Sequence, residues 1–213
     1  MKLVYLDNAA STKISARVVE KMMESYSENY GNPSSTHKLG QKARAAVEKT
    51  RNVIAGYIGV ESKEIIFTSG GAEGNNLVIR GALNAYSSKG KHIITSKIEH
   101  STVLKTCQQL ENEGYEVTYI DVDENGVIDL EQLENSIRKD TVIVSIMYAN
   151  NETGVKQPIK EIGEILKNTG IMFHTDAVQA MCKEKIFPKD LKIGAMTVTA
   201  HKFYGPKGTG FVY

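Results

Sequence analysis

The sequence predicts an α/β fold: a mostly parallel sheet sandwiched by helices. Three observations predict it. Short β-branched runs alternate with longer amphipathic stretches along the whole chain. The runs are continuously apolar or β-branched, as in Thr141-Val-Ile-Val-Ser-Ile146, which marks strands buried on both faces. Polar residues with chemical potential gather just after the runs, where open α/β sheets bind ligands.

The elements follow in order. Residues 5–10 are a short extended segment. Ser15 is placed to cap a helix over about 16–26, with Val18, Val19, Met22 and Met23 on its apolar side. A turn cluster at 31–35 precedes a helical pattern over about 35–57, whose apolar positions are Ala43, Ala46, Val47, Val53 and Ile54. Residues 65–68 read as a buried strand, broken by Gly70-Gly71. Helices are expected over about 72–86, 102–113, 130–137 and 159–167. Strands are expected over 92–95, 116–120, 141–146, 171–174 and 196–199, and another begins at Phe211. Asn125-Gly126 marks a turn. No internal repeat or long linker interrupts the pattern, so residues 1–213 are expected to form one domain.

Composition narrows the function classes. The chain has 213 residues, 41% hydrophobic and 24% charged, enough for one sizeable core. A formal net charge of +1 argues against an electrostatic nucleic-acid or membrane footprint. No apolar run approaches the roughly eighteen residues of a membrane span, and the N-terminus lacks a signal-peptide core. Two cysteines, Cys107 and Cys182, make no disulfide framework, so a reducing, cytoplasmic home is expected.

Five strand ends carry chemistry. Thr68-Ser-Gly-Gly-Ala-Glu73 opens a helix with glycines and free N–H groups, which suits a phosphate. His100 is an acid/base or a ring that stacks on another flat ring. Asn150-Asn151 can fix a ligand by directional hydrogen bonds. Asp176 is a carboxylate at the end of a buried strand, costly unless paired, and a protonated pyridine nitrogen is a fitting partner. Gln179 follows it. Thr199-Ala-His201-Lys202 ends the set, with Lys202 a candidate to form a Schiff base if its pKa is lowered. Each has a plain structural reading too: a tight turn, a helix-leading histidine, an Asn-rich turn, a helix-capping aspartate, a solvated lysine. All five together, in this order, match what pyridoxal 5′-phosphate requires. Gly205-Pro-Lys-Gly-Thr-Gly210 is not a nucleotide-binding loop, because no Gly-Lys-Ser/Thr occurs and a strand follows instead of a helix.

The ordered segments resemble the cysteine desulfurases of the NifS/IscS type, within the class V aminotransferases of fold-type I. They are Tyr-Leu-Asp-Asn-Ala-Ala (5–10), Gly-Asn-Pro-Ser-Ser-Thr-His (31–37) and Phe-Thr-Ser-Gly-Gly-Ala-Glu-Gly-Asn-Asn (67–76). Ile-Glu-His (98–100), Asn-Asn-Glu-Thr-Gly (150–154), His-Thr-Asp-Ala-Val-Gln (174–179) and His-Lys-Phe-Tyr-Gly-Pro-Lys-Gly (201–208) complete the set. The resemblance implies the large pyridoxal-phosphate-binding domain of such transferases. It implies that Lys202 binds the cofactor and moves the substrate's α-proton. His100 would stack on the ring and assist proton transfer, and Asp176 would pair with the ring nitrogen. Asn151 would bond the ring hydroxyl, with Gln179 nearby. Gly71, Ala72, Thr199 and His201 would hold the phosphate. Ala72 stands where the family often has threonine, which keeps an N–H and loses a hydroxyl. Thr199 stands where serine is common.

The implied reaction takes sulfur from L-cysteine, giving L-alanine and an enzyme persulfide for iron–sulfur cluster or thio-cofactor assembly. The implied partners are a second copy of the chain, as a homodimer, and a sulfur-acceptor or iron–sulfur scaffold protein. No metal is expected. A histidine at position 100 favours desulfurase or selenocysteine lyase chemistry over the aminotransferase branches. The family's nucleophilic cysteine, its substrate-binding arginine and most of its small C-terminal domain lie beyond the position of Tyr213. The chain is therefore expected to be an incomplete half of a typical member. Cys107 shares a helical face with Val103, Leu104 and Leu110 and reads as core, and Cys182 does not match the family's nucleophile. The alternatives are a selenocysteine lyase, another class V enzyme, or a non-catalytic domain that binds the cofactor.

Overall fold

A computed structural model describes residues 3–213. The β-branched runs form a seven-stranded sheet: β1 (Ile66–Thr68), β2 (His92–Ser96), β3 (Glu116–Ile120), β4 (Thr141–Ser145), β5 (Met172–Asp176), β6 (Ala195–Thr199) and β7 (Gly210–Val212). Their order is β1-β7-β6-β5-β4-β2-β3. β7 runs antiparallel to both its neighbours, and the remaining pairings are parallel. The mostly parallel α/β architecture expected from the sequence is thus present.

The helices are α1 (Ala16–Glu28), α2 (Lys38–Ile58), α3 (Gly71–Ala85), α4 (Ser101–Asn112), α5 (Leu130–Asn135) and α6 (Ile159–Leu166). On one face of the sheet Ile79 and Leu83 of α3 and Val103 and Leu110 of α4 pack on Ile93, Ile143 and Val212. On the other, Ile58 of α2, Leu133 of α5 and Ile162 and Leu166 of α6 pack on Ile94, Val144, Phe173 and Met196. Each such fully buried side chain contributes about 1.5–3 kcal/mol, so the central strands anchor the fold. Two histidines pin the strands together. His92 of β2 bridges the Thr141 and Thr118 hydroxyls, both at 2.8 Å. His174 of β5 bridges Ser145 at 2.8 Å and Thr197 at 3.0 Å.

Three local expectations differ. β1 is an edge strand with Ile66 52% exposed, while Thr68 is buried and Phe67 packs, half-buried, on the core beside buried Ile65. Arg51 covers this edge by donating to the Ile65 carbonyl and stacking over Phe67. α1 buries none of its residues, because it lies outside the two layers that cover the sheet. Val53 of α2 faces solvent, and the buried stripe instead runs through Ala43, Ala55 and Ile58.

α3 positions the site. It leaves β1 at one edge and must reach β2 near the other, so it crosses β7, β6, β5 and β4. Gly74 permits the close approach, since a Cβ there would lie 2.6 Å from Thr197 Cγ2 and 3.1 Å from Val212 Cγ2.

Candidate active site

The loops after β1, β2, β4, β5 and β6 converge on one cleft of 670 Å³, a volume suited to a cofactor. All the residues expected from the sequence line it: Gly71, Ala72, His100, Asn151, Asp176, Gln179, Thr199, His201 and Lys202.

Asp176 ends β5 and is only 6% exposed. Its Oδ1 accepts from the Val178 N–H at 3.0 Å and its Oδ2 from Asn75 Nδ2 at 2.8 Å. Burial pushes its pKa up, while those two donors and the charges of His100 and Lys202 pull it down. A buried carboxylate held by neutral donors leaves room for a cationic partner.

Lys202 lies in the single 3₁₀ turn after β6, half-buried. Its Nζ donates to the carbonyls of Ala9 at 2.6 Å and Ala10 at 2.9 Å. Gln179 Nε2 donates to the same Ala9 carbonyl at 2.9 Å. Burial lowers the lysine pKa, Lys183 lowers it further, and Asp176 and Asp7 oppose the shift. That direction is the one an amine nucleophile needs.

The N-terminus of α3 is open. Its cap residue is Gly70, at φ +151°, which offers no side chain to the first-turn N–H groups. Glu73 turns back instead, accepting from the Ser69 N–H and hydroxyl, both at 2.6 Å, and this holds its carboxyl below the usual range. Uncapped N–H groups and the helix dipole make a cradle for an anion. Beside it, buried Thr199 donates to the Thr209 carbonyl at 3.2 Å, where β7 folds back along β6. His201 touches the Ser11 hydroxyl at 3.4 Å, its pKa lowered first by burial and then by Lys202 and Lys207.

The two adjacent amides divide their work. Asn150 is buried and builds the loop: its Nδ2 donates to the Ile98 carbonyl at 3.0 Å, and its Oδ1 accepts from the N–H groups of Glu152 and Thr153, both at 2.9 Å. Asn151 lines the cleft and donates to Glu152 Oε1 at 2.6 Å.

Sequence reasoning passed over several participants. Asn75 supports Asp176. Asp7, Ala9 and Ala10 close over Lys202. Glu99 is 5% exposed, and its Oε1 accepts from Ser96 Oγ at 2.7 Å and the Met147 N–H at 2.8 Å, tying the loop of His100 to the loop of Asn151. A carboxylate three residues after a fully buried strand, between Ile98 and His100, is the signal that could have found it.

The chain matches the family described as Aminotransferase class-V over residues 4–213. It belongs to the class-V aminotransferase family. It is 52% identical, over 217 aligned positions, to the cysteine desulfurase IscS of Histophilus somni (strain 2336), covering 100% of this chain and 54% of that protein. The chain thus spans about half the length of such relatives. A solved structure named NifS-like protein superimposes with a TM-score of 0.96 at 41% identity, covering 99% of this chain and 58% of that one. A structure named SspA in complex with cysteine gives 0.95 at 42% identity, covering 99% and 61%.

The cofactor of this class-V family is pyridoxal phosphate, and the cleft fits it on its own chemistry. A buried acceptor carboxylate, an uncapped helix N-terminus and a half-buried lysine of lowered pKa share one cavity. The two cysteines take no part in that cavity. Cys107 is fully buried in α4, its thiol pushed up to about 12 by burial. Cys182 is exposed beside Tyr57 and lies outside the lining. Among the described residues no helix is long and apolar enough to cross a membrane.

Proposed function

We propose that this chain carries the pyridoxal phosphate site of a cysteine desulfurase, which removes sulfur from L-cysteine to give L-alanine and an enzyme persulfide. The observation that carries the proposal is the buried carboxylate of Asp176 sharing one cleft with the depressed-pKa amine of Lys202. The bound cofactor supplies an electron sink for bond cleavage at the substrate.

The chain's residues supply the cofactor site in this reading. Asp176 holds the ring nitrogen protonated. Lys202 would hold the cofactor and would move the α-proton of the substrate. Its half-burial favours the neutral amine that both tasks require. His100 would stack on the ring and assist proton transfer. Asn151 would bond the ring hydroxyl, with Gln179 nearby. The N–H groups of Gly71 and Ala72, with Thr199 and His201, hold the phosphate. Neither Cys107 nor Cys182 accepts the sulfur, so the accepting thiol is a different one. Residues 1–213 serve as the large, cofactor-binding domain of a homodimer in a reducing cytoplasm, and the persulfide passes to an acceptor or iron–sulfur scaffold protein.

The test is spectroscopic. Pyridoxal phosphate added to the protein should produce the visible band of a lysine-bound cofactor. Lys202→Ala should abolish the band, while Lys183→Ala should retain it. A folded protein without the band, or a band that survives Lys202→Ala, would overturn the proposal.

A further inference from the structure

Asn75 sits one turn into α3 and is fully buried. Its Nδ2 reaches two acceptors, Asp176 Oδ2 at 2.8 Å and Thr102 Oγ1 at 2.9 Å. Chemistry decides which end of the amide faces Asp176. A carboxylate oxygen accepts, so the NH₂ group must point to it. One of its hydrogens serves Asp176 and the other serves Thr102. The Oδ1 atom is left buried without a partner.

The consequence passes to Thr102. Its hydroxyl oxygen accepts from Asn75, so its own hydrogen is free to be donated. The remaining partner is His100 Nδ1, at 2.9 Å. The Thr102 backbone N–H approaches the same nitrogen at 3.2 Å. A backbone N–H can only donate, so two donors from one residue converge on Nδ1. That atom must present a lone pair, and the proton of the neutral ring resides on Nε2.

We propose that Asn75 and Thr102 are positioning residues that transmit hydrogen-bond polarity from Asp176 to His100 and hold the imidazole as its Nε2–H tautomer. The chain of donors runs from Asn75 to Asp176 at one end, and from Asn75 through Thr102 to His100 Nδ1 at the other. Two groups that face the cofactor are thereby oriented by one amide beneath them. Among the described residues Nε2 has no partner, so it is the ring atom left to exchange a proton. The purpose of the relay rests on the cofactor assignment above, but its geometry belongs to the protein alone.

The relay is tested in cofactor-free protein labelled with ¹⁵N-histidine. The chain has five histidines, so His100→Gln identifies the His100 signals by their loss. Long-range ¹H–¹⁵N spectra, recorded where the ring is neutral, should give a single Nε2–H tautomer for His100. Thr102→Val removes the hydroxyl donor and should shift the Nδ1 resonance towards a mixture of tautomers. Thr102→Ser should restore it. Asn75→Leu should move the resonance in the same direction, although it does not touch the ring. A proton on Nδ1 in the unmodified protein would overturn the proposal. So would a His100 spectrum unmoved by Thr102→Val. Because the spectra need no cofactor, failure to bind pyridoxal phosphate would sink the function proposed above and leave this result standing.

Discussion

Glu99→Gln should flatten the loss of stability above neutral pH. Burial pushes the Glu99 carboxyl from an ordinary 4.5 up to about 8 in the folded protein. A raised folded pKa means that the unfolded state binds fewer protons between those values, so stability is lost as pH rises from 4.5 towards 8. His174 acts in the opposite sense. It is buried and neutral, its pKa pushed from 6.5 down to about 3, so stability is lost as pH falls below 6.5. Between 4.5 and 6.5 the two slopes oppose each other, and above 6.5 the slope of Glu99 stands without that opposition. At about 1.4 kcal/mol per pH unit, the interval from 6.5 to 8 is worth about 2 kcal/mol. Asp176, raised by burial, contributes with the same sign, so the comparison is between proteins rather than between pH values. In Glu99→Gln the Oε1 atom still accepts from Ser96 and Met147, and the new NH₂ replaces the unpartnered Oε2. That change adds an offset independent of pH. Urea unfolding at pH 6.5 and pH 8 isolates the slope, and the unmodified protein should lose about 2 kcal/mol more than the variant. Equal losses in the two proteins would refute the assignment of a neutral, buried Glu99.

Three further outcomes test the packing. Gly74→Ala places a methyl 2.6 Å from Thr197 Cγ2, so thermal unfolding should register a cost of about 1–3 kcal/mol. Gly81→Ala, on the exposed face of the same helix with nothing within 4 Å, should stabilise by about 0.4–1 kcal/mol. A thiol reagent should label Cys182 in the native protein and Cys107 only after unfolding, as read by peptide mass spectrometry. Native labelling of Cys107 would contradict the packing of α4 on the sheet.

The central strands are legible in the sequence because burial on both faces leaves continuous apolar runs, and β4 is such a run. Helix existence is legible from amphipathic periodicity instead, although the ends move by one to three residues. Burial by the rest of the fold is less legible. Val53 lies on a plausible helical period, yet the sheet meets α2 along Ala55 and Ile58. Ile66 looks like a core residue, but the antiparallel return of β7 leaves β1 at the edge with one face open. Nothing in residues 65–68 encodes that, since it depends on a strand that begins at Gly210. The site shows the same division. Residues that follow strands directly, such as Asp176 and Lys202, are found by position. Asn75 and Glu99 act from beneath, and polar residues of a helix face or a strand end look ordinary until their partners arrive from β5 and β4.

Residues 71–75 explain why the cleft holds together as one unit. Gly71 and Ala72 present the open helix N-terminus. Gly74 lets that helix settle on Thr197 of β6, two residues before Thr199 and five before Lys202. Asn75 then reaches Asp176 on β5 and, through Thr102, His100 at the start of α4. One turn of one helix therefore sets the anion cradle, the carboxylate and the imidazole relative to each other. A helix that crosses the sheet can do this, because it passes several strands while each strand end contributes to a single loop. Displacing α3 by overpacking at Gly74 would move all three groups together, so such a variant should lose cofactor binding in step with stability rather than at one contact.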